Sequence, residues 1–155
     1  MRLASTLPQF TDDPDLPLGY ARHAESVGLA GVFALDHLWP LGNREGNVLA
    51  SFPLLGALAQ ETSTIAVGTL VARVGLVPDA QLVAQLRTLD AIAGGRLVAG
   101  VGVGDKLSFA ENDAYGVPAE DLGRRVERLV AVGRGLRAAG VTVWFGGRHH
   151  RLIPL

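Results

Sequence analysis

Short apolar runs alternate with longer segments of helical periodicity along the whole chain, and this alternation strongly constrains the fold. Residues 30–35 are almost continuously apolar, as in a strand that is buried on both faces. Farther along, Leu82, Leu86 and Leu89 recur at spacings of four and three residues, which places them on one face of a helix. A regular alternation of strands and helices predicts a parallel sheet with right-handed crossovers.

The same patterns locate the individual elements. Strands are predicted at residues 2–7, 30–35, 64–71, 96–103 and 141–145. Helices are predicted from Asp13-Pro14, from about Ser51, from Asp79 as the cap, and from about Leu122, with a long loop over residues 104–120. Gly28 and Gly94-Gly95 stand where helices are expected to end. Periodicity leaves both an open doubly wound sheet and a β/α barrel possible, and a complete barrel needs roughly 250 residues.

Composition excludes several classes of function. Lys+Arg 14 against Asp+Glu 15 leaves no basic excess for a nucleic-acid partner. The absence of cysteine excludes disulfides, thiolate metal sites and cysteine nucleophiles. His23 stands alone and the neighbours His149 and His150 diverge on a strand, so no metal site is predicted. No apolar run reaches the length of a membrane span or a signal-peptide core, so we expect one cytoplasmic domain over residues 1–155.

Several segments, in order, resemble the luciferase-like flavin/deazaflavin monooxygenase superfamily. They are the segment 31–39 with its Asp-His pair, Gly68-Thr69-Leu70-Val71, the helix-to-strand segment 88–97 with Gly94-Gly95-Arg96-Leu97, the segment 100–105, and residues 124–129. The resemblance leans to the deazaflavin-dependent branch. It implies the N-terminal half of a TIM (β/α) barrel with about five parallel strands. Family members are about twice this length, so we expect the partial barrel to be completed by a homodimer or by a second chain.

The resemblance also assigns candidate site residues at the end of the second strand. Active sites of barrels lie at the carboxyl ends of the strands. There Asp36 and His37 would bind the cofactor, and His37 would also manage protons as a catalytic group. Trp39 would stack on the planar ring. The competing interpretations are a histidine that caps a strand or helix and a tryptophan that covers the rim of the core.

Two further segments enter the predicted site. Leu70-Val71 matches the position of a non-proline cis peptide behind the cofactor ring. Gly102 and Gly104 would let the backbone approach the cofactor, although their spacing and place do not fit a Rossmann fingerprint. Asp105 stands where some sugar-phosphate dehydrogenases of the family carry a catalytic carboxylate; a helix or turn cap is the alternative.

These observations predict an oxidoreductase, either a monooxygenase or a hydride-transferring dehydrogenase acting on a small molecule. Coenzyme F420 is the expected cofactor, with FMN second. The alternative is a non-catalytic half-barrel module for binding or assembly, dependent on a partner chain. Gly133 and Gly135 inside a predicted helix cost about 1 kcal/mol each relative to alanine, which we interpret as relaxed selection under that alternative.

Overall fold

The computed structural model describes residues 3–105, 108–117 and 120–147. Within these ranges, the strands are β1 (Ala4–Thr6), β2 (Gly31–Ala34), β3 (Ala66–Thr69), β4 (Ala72–Arg73), β5 (Leu97–Gly102) and β6 (Thr142–Gly146). The helices are α1 (Asp15–Ser26), α2 (Ser51–Glu61), α3 (Asp79–Ile92), α4 (Phe109–Ala114) and α5 (Leu122–Ala138). The predicted alternation of strands and helices is confirmed. No helix among these ranges combines the length and apolar character needed to cross a membrane.

All the strand pairs of the sheet are parallel, and their spatial order follows the chain. β1 pairs with β2, β2 with β3, β3 with β5, and β5 with β6. The two-residue strand β4 continues along the same edge of β5 as β3, since β6 occupies the other edge. A doubly wound sheet reverses its strand order at a switch point. The described strands have no reversal, so the sheet is part of a β/α barrel.

Helices α1, α2, α3 and α5 cover one face of the sheet and form the core with it. Leu82, Leu86 and Leu89 of α3 are all buried, as their spacing predicted. Outward-facing strand residues pack against these helices, among them Val32, Val67, Leu97, Ala99 and Val101. Because helices cover the outer face of every strand in such a barrel, the strand residues that point toward the helices are apolar.

The opposite face of the sheet is rich in glycine. A Cβ atom added at Gly68 would collide with the Val98 carbonyl oxygen and the Phe33 ring, and one added at Gly100 would collide with the Thr69 carbonyl oxygen. Glycine is therefore required for these strands to approach each other. Above this surface, the Phe33 ring stacks on Trp144 with 5.2 Å between ring centroids, and Trp144 remains 49% exposed.

The start and end of α1 and the end of α3 agree with the predicted turn chemistry. Asp13 Oδ1 accepts the Asp15 N–H at 2.9 Å, and Pro14 between them has helical angles of φ −69° and ψ −23°. Gly28, Gly94 and Gly95 have φ angles of 79°, 62° and 80°, a region that side chains with a Cβ disfavour.

Three predicted boundaries were wrong. Asp79 is the first residue of α3 and makes no capping bond; its Oδ1 instead accepts from Arg128 Nη1 at 2.9 Å. The strand predicted at 64–71 ends at Thr69 as β3, and a separate strand, β4, begins at Ala72. The cis peptide bond between Leu70 and Val71 lies between the two strands. The predicted loop at 104–120 contains the short helix α4.

Gly133 has a packing role, which contradicts our interpretation of it as a sign of relaxed selection. A Cβ at this position would lie 2.6 Å from Phe145 Cζ, so the absence of a side chain makes room for the Phe145 ring between α5 and β6. Gly135 differs, since its added Cβ would lie 3.4 Å from Val83 Cγ2, an ordinary contact distance.

Candidate active site

The segment that follows β2 is held in place by the fully buried side chain of Gln9. Gln9 Nε2 donates to the carbonyl oxygens of Leu35 at 2.8 Å and Leu49 at 3.1 Å, and Gln9 Oε1 accepts the Leu35 N–H at 2.6 Å. One amide therefore closes both ends of the loop between Leu35 and Leu49. This loop carries Asp36, His37 and Trp39, so Gln9 anchors both ends of the segment that holds three of the predicted site residues.

Asp36 joins the end of β2 to two other elements. Its Oδ2 accepts the backbone N–H of Arg73, at the end of β4, at 3.0 Å. Its Oδ1 accepts from the hydroxyl of Ser51, the first residue of α2, at 3.3 Å. Burial raises the pKa of the Asp36 carboxyl, and the hydrogen bond from the Arg73 N–H acts in the opposite direction. The predicted site residue is thus a half-buried carboxyl group at the carboxyl rim of the sheet.

His37 contacts Glu111, a residue of α4 that was not among the predicted site residues. His37 Nδ1 lies 3.1 Å from both carboxylate oxygens of Glu111. Glu111 Oε1 also accepts the Leu38 N–H at 3.1 Å, and Glu111 Oε2 lies 2.7 Å from Arg73 Nη2. Glu111 is only 2% exposed, so its charge is held away from water among these groups.

A cavity of about 290 Å³ lies beside these groups, between the N-terminal parts of α2 and α3. We call it the rim cavity. Its polar lining includes Asp36, His37, Ser51, Arg73 and Tyr115, and its apolar wall includes Val48, Phe52, Leu76, Val77 and Leu82. Burial, followed by the nearby Asp36 carboxyl, raises the pKa of Tyr115. Such a mixture of apolar wall and convergent polar groups is typical of small-molecule sites.

The Leu70–Val71 segment lies next to this group of residues along the rim. Its peptide bond is cis, as the resemblance implied. The Leu70 side chain is 42% exposed, and the Leu70 N–H donates to the Ala34 carbonyl oxygen at 2.8 Å. Val71 packs over Gly102 and Gly146, where an added Cβ would lie 2.5 and 2.7 Å from its methyl carbons. The rim therefore offers an exposed apolar side chain beside a glycine-rich strand.

Asp105 and Gly104 lie on the other side of Arg73. Asp105 Oδ1 accepts from the Ser108 N–H and the Ser108 hydroxyl, both at 3.1 Å, in the manner of a turn cap. Gly104 has a φ angle of 70°, and an added Cβ would lie 3.3 Å from Arg73 Cδ. Arg73 lines both the rim cavity and the small space beside Asp105. It is therefore the residue that connects the two predicted parts of the site.

Trp39, predicted to stack on the cofactor ring, contacts Arg44 in this structure. The guanidinium carbon of Arg44 lies 5.4 Å from the centre of the Trp39 ring, a cation–π arrangement. Trp39 is not among the residues that line the rim cavity. His149 and His150, which were not expected to bind a metal, lie outside the described residues. Within the described residues no group of side chains could hold a metal ion.

Sequence reasoning missed Arg73, Glu111, Ser51 and Tyr115. Arg73 carried a usable signal, because a charged residue inside the apolar run 65–77 needs a buried partner. Glu111 carried no such signal, since it falls in a polar segment that was predicted to be a loop.

A parallel sheet whose strands follow chain order, with converging polar groups at its carboxyl rim, defines the site of a β/α-barrel protein. Comparison with known families agrees with this class. The model of the luciferase-like monooxygenase family matches residues 3–154, and the chain belongs to that family.

Individual relatives and structures are similar to this chain over part of their own length. An F420-dependent glucose-6-phosphate dehydrogenase of Beutenbergia cavernae is 37% identical over 113 residues, which cover 72% of this chain and 33% of the relative. The chain therefore spans about a third of that protein.

Two solved structures share the fold. An F420-dependent secondary alcohol dehydrogenase, in complex with an F420–acetone adduct, superimposes with a TM-score of 0.72 at 21% identity, over 88% of this chain and 42% of that one. The FMN-bound oxygenating constituent of 3,6-diketocamphane monooxygenase from Pseudomonas putida superimposes with a TM-score of 0.70 at 19% identity. The match covers 86% of this chain and 40% of that one.

Proposed function

We propose that this chain carries part of the active site of an F420-dependent oxidoreductase that acts on a small molecule bearing a hydroxyl group. The observation that carries the proposal is the His37 imidazole, held against Glu111 at the carboxyl rim beside a cavity that also exposes Asp36. An imidazole suits proton exchange near neutral pH. The dehydrogenase from Beutenbergia cavernae supports F420 as the cofactor, and the FMN-bound structural neighbour keeps FMN as the second candidate.

The residues at the rim fit the ring of such a cofactor. A flat tricyclic ring needs an apolar surface behind it and polar groups at its edge. Leu70, 42% exposed beside Val71, supplies apolar surface at the rim. His37, whose side chain is 19% exposed, supplies a polar group nearby.

The chain's own residues would bind the substrate, orient it and move its hydroxyl proton. A bound deazaflavin supplies hydride transfer, which is chemistry that amino-acid side chains lack. His37 would hold the hydroxyl group of the substrate and take its proton as the alcohol is oxidised. Asp36 and Ser51 would keep the loop after β2 against α2, so that the imidazole keeps its position. The apolar wall of Phe52, Leu76 and Leu82 would exclude water from the rim cavity.

Cofactor titration tests this proposal directly. Purified protein is titrated with F420 and separately with FMN, and binding is followed by fluorescence and absorbance. We expect saturable binding of F420, tighter than that of FMN. His37→Gln should retain much of that binding but lose oxidation of a secondary alcohol, whereas His23→Gln, on the exposed side of α1, should retain both. Failure of both cofactors to bind contradicts the proposal.

A second candidate function is a non-catalytic assembly module, and one observation favours it. Trp144 is half exposed on the glycine-rich face, and β1 and β6 each pair with a single strand among the described residues. A second copy or another chain that adds strands at these edges would cover the tryptophan. Light scattering combined with tryptophan fluorescence tests this: the proposed homodimer requires twice the monomer mass and a blue-shifted emission at high concentration. A monomer at all concentrations excludes the homodimer.

We also propose that the protein is cytoplasmic, as expected from the sequence.

A further inference from the structure

Glu111 is placed to control the chemistry of His37, although it lies far from it in sequence. Its two oxygens receive contacts from three groups: the His37 ring, the Leu38 N–H and the Arg73 guanidinium. A buried carboxylate is costly unless its charge and lone pairs are satisfied, and the Arg73 ion pair at 2.7 Å compensates that charge.

The geometry determines which ring nitrogen of His37 carries the proton. Both Glu111 oxygens lie 3.1 Å from Nδ1. An ionised carboxylate only accepts hydrogen bonds, so Nδ1 must be the donor. When the imidazole is neutral, its other nitrogen, Nε2, therefore has a free lone pair.

We infer that Glu111 is a positioning residue that fixes the Nδ1–H tautomer of His37, so that Nε2 accepts the hydroxyl proton of the substrate. The role assigned to Nε2 rests on the proposed function. A bound deazaflavin would accept the C–H electron pair as hydride. The O–H electrons would then form the second bond of the carbonyl group, and Nε2 of His37 would take the proton. The Leu38 N–H, bound to Glu111 Oε1 at 3.1 Å, fixes the backbone beside the ring and so its orientation.

The tautomer can be measured without cofactor or substrate. Long-range ¹H–¹⁵N correlation spectra of uniformly labelled protein distinguish the two nitrogens of each histidine, and the His37→Gln spectrum identifies the signals of residue 37. Spectra are recorded at about two pH units above 6.5, the ordinary pKa of histidine. We expect wild-type His37 to have its proton on Nδ1. In Glu111→Gln, whose amide can donate as well as accept, the ratio of the two tautomers should move toward Nε2–H by on the order of tenfold.

Two further variants keep the test decisive. If Glu111→Gln fails to fold because Arg73 loses its counter-charge, the double variant Arg73→Met/Glu111→Leu removes both charges and should show the same change of tautomer. Glu25→Gln is the matched control: it removes a carboxylate that accepts three backbone N–H groups, and it should leave the His37 signals unchanged.

The outcomes separate this inference from the proposed function. An Nε2–H tautomer in the wild-type protein, or an unchanged ratio in the Glu111 variants, overturns the inference. Suppose that the wild-type protein has the Nδ1–H tautomer, that the Glu111 variants lose it, and that neither cofactor binds. Control of the tautomer by Glu111 is then supported, and the proposed function is contradicted. In cofactor-loaded protein, Glu111→Gln should lower kcat for alcohol oxidation with little change in KM.

Discussion

The backbone N–H of Arg73 donates to Asp36 Oδ2 at 3.0 Å, so the end of β4 holds a half-buried carboxyl group at the end of β2. The bond compensates part of the cost of burying that group, and the pKa of Asp36 nevertheless remains raised because desolvation is the larger effect. The Arg73 guanidinium meanwhile pairs with Glu111. One residue of a two-residue strand thus contacts both Asp36 and Glu111.

The raised pKa of Asp36 makes the stability of the protein depend on pH in a definite direction. In the unfolded chain, this carboxyl ionises near its ordinary pKa of about 3.9, whereas in the folded protein it holds its proton to higher pH. Stability therefore falls as the pH rises through the window between the two values. Asp36→Asn should be close to wild type in acid and gain stability relative to it as the pH rises to neutrality. Urea unfolding at a series of pH values measures this, with the exposed Asp12→Asn as control. A difference that does not vary with pH would contradict the prediction.

Glu25 makes the stability of the protein depend on pH in the opposite direction. Its Oε1 accepts the N–H groups of Ser63, Thr64 and Ile65 at 2.9, 2.6 and 3.0 Å, and these bonds lower its pKa to about 2. Because the folded pKa lies below the unfolded one, the stabilisation is complete above about pH 4.5 and is lost as the pH falls toward 2. Glu25→Gln should lower the unfolding free energy at neutral pH by about 1–3 kcal/mol, and the loss should shrink in acid. Thermal unfolding at pH 7 and at pH 2.5 tests this; a loss of equal size at both would refute it.

Gln9 should be necessary for order in the loop that carries His37. Gln9→Met keeps the volume of the side chain but leaves the Leu35 N–H and the carbonyl oxygens of Leu35 and Leu49 without their side-chain partner. Each buried polar group left unsatisfied costs about 1–3 kcal/mol. Hydrogen exchange followed by NMR should show faster exchange of the Leu35 amide in the variant, while the amides at the centre of α3 keep their protection. Equal exchange of the Leu35 amide in both proteins would show that the loop is held by other contacts.

Two glycines of α5 form a matched pair with opposite expectations. Gly133→Ala would place a Cβ 2.6 Å from Phe145 Cζ and should destabilise the protein by about 1–3 kcal/mol. Gly135→Ala meets Val83 only at 3.4 Å, so the better helix propensity of alanine should stabilise the protein by up to about 1 kcal/mol. Denaturant unfolding of the wild-type protein and the two variants under the same conditions measures the two changes in stability. Stabilisation by both changes would mean that α5 is not packed closely against β6.

The sequence by itself determined the parts of this protein that depend on neighbouring residues. The spacing of Leu82, Leu86 and Leu89 predicted the buried face of α3, because helical periodicity is a property of a few consecutive turns. Gly28 predicted the end of α1, because a positive φ angle is a local preference of glycine. The resemblance along the chain indicated the barrel and drew attention to Asp36 and His37.

Only the tertiary structure decided how those residues are joined. His37 meets Glu111 across 74 positions of sequence, and Arg73 reaches Asp36 across 37. Such pairs depend on the register of parallel strands and on where the segment after β5 folds back over the rim. Both of these depend on packing throughout the core, so no local pattern of residues predicts the pairs.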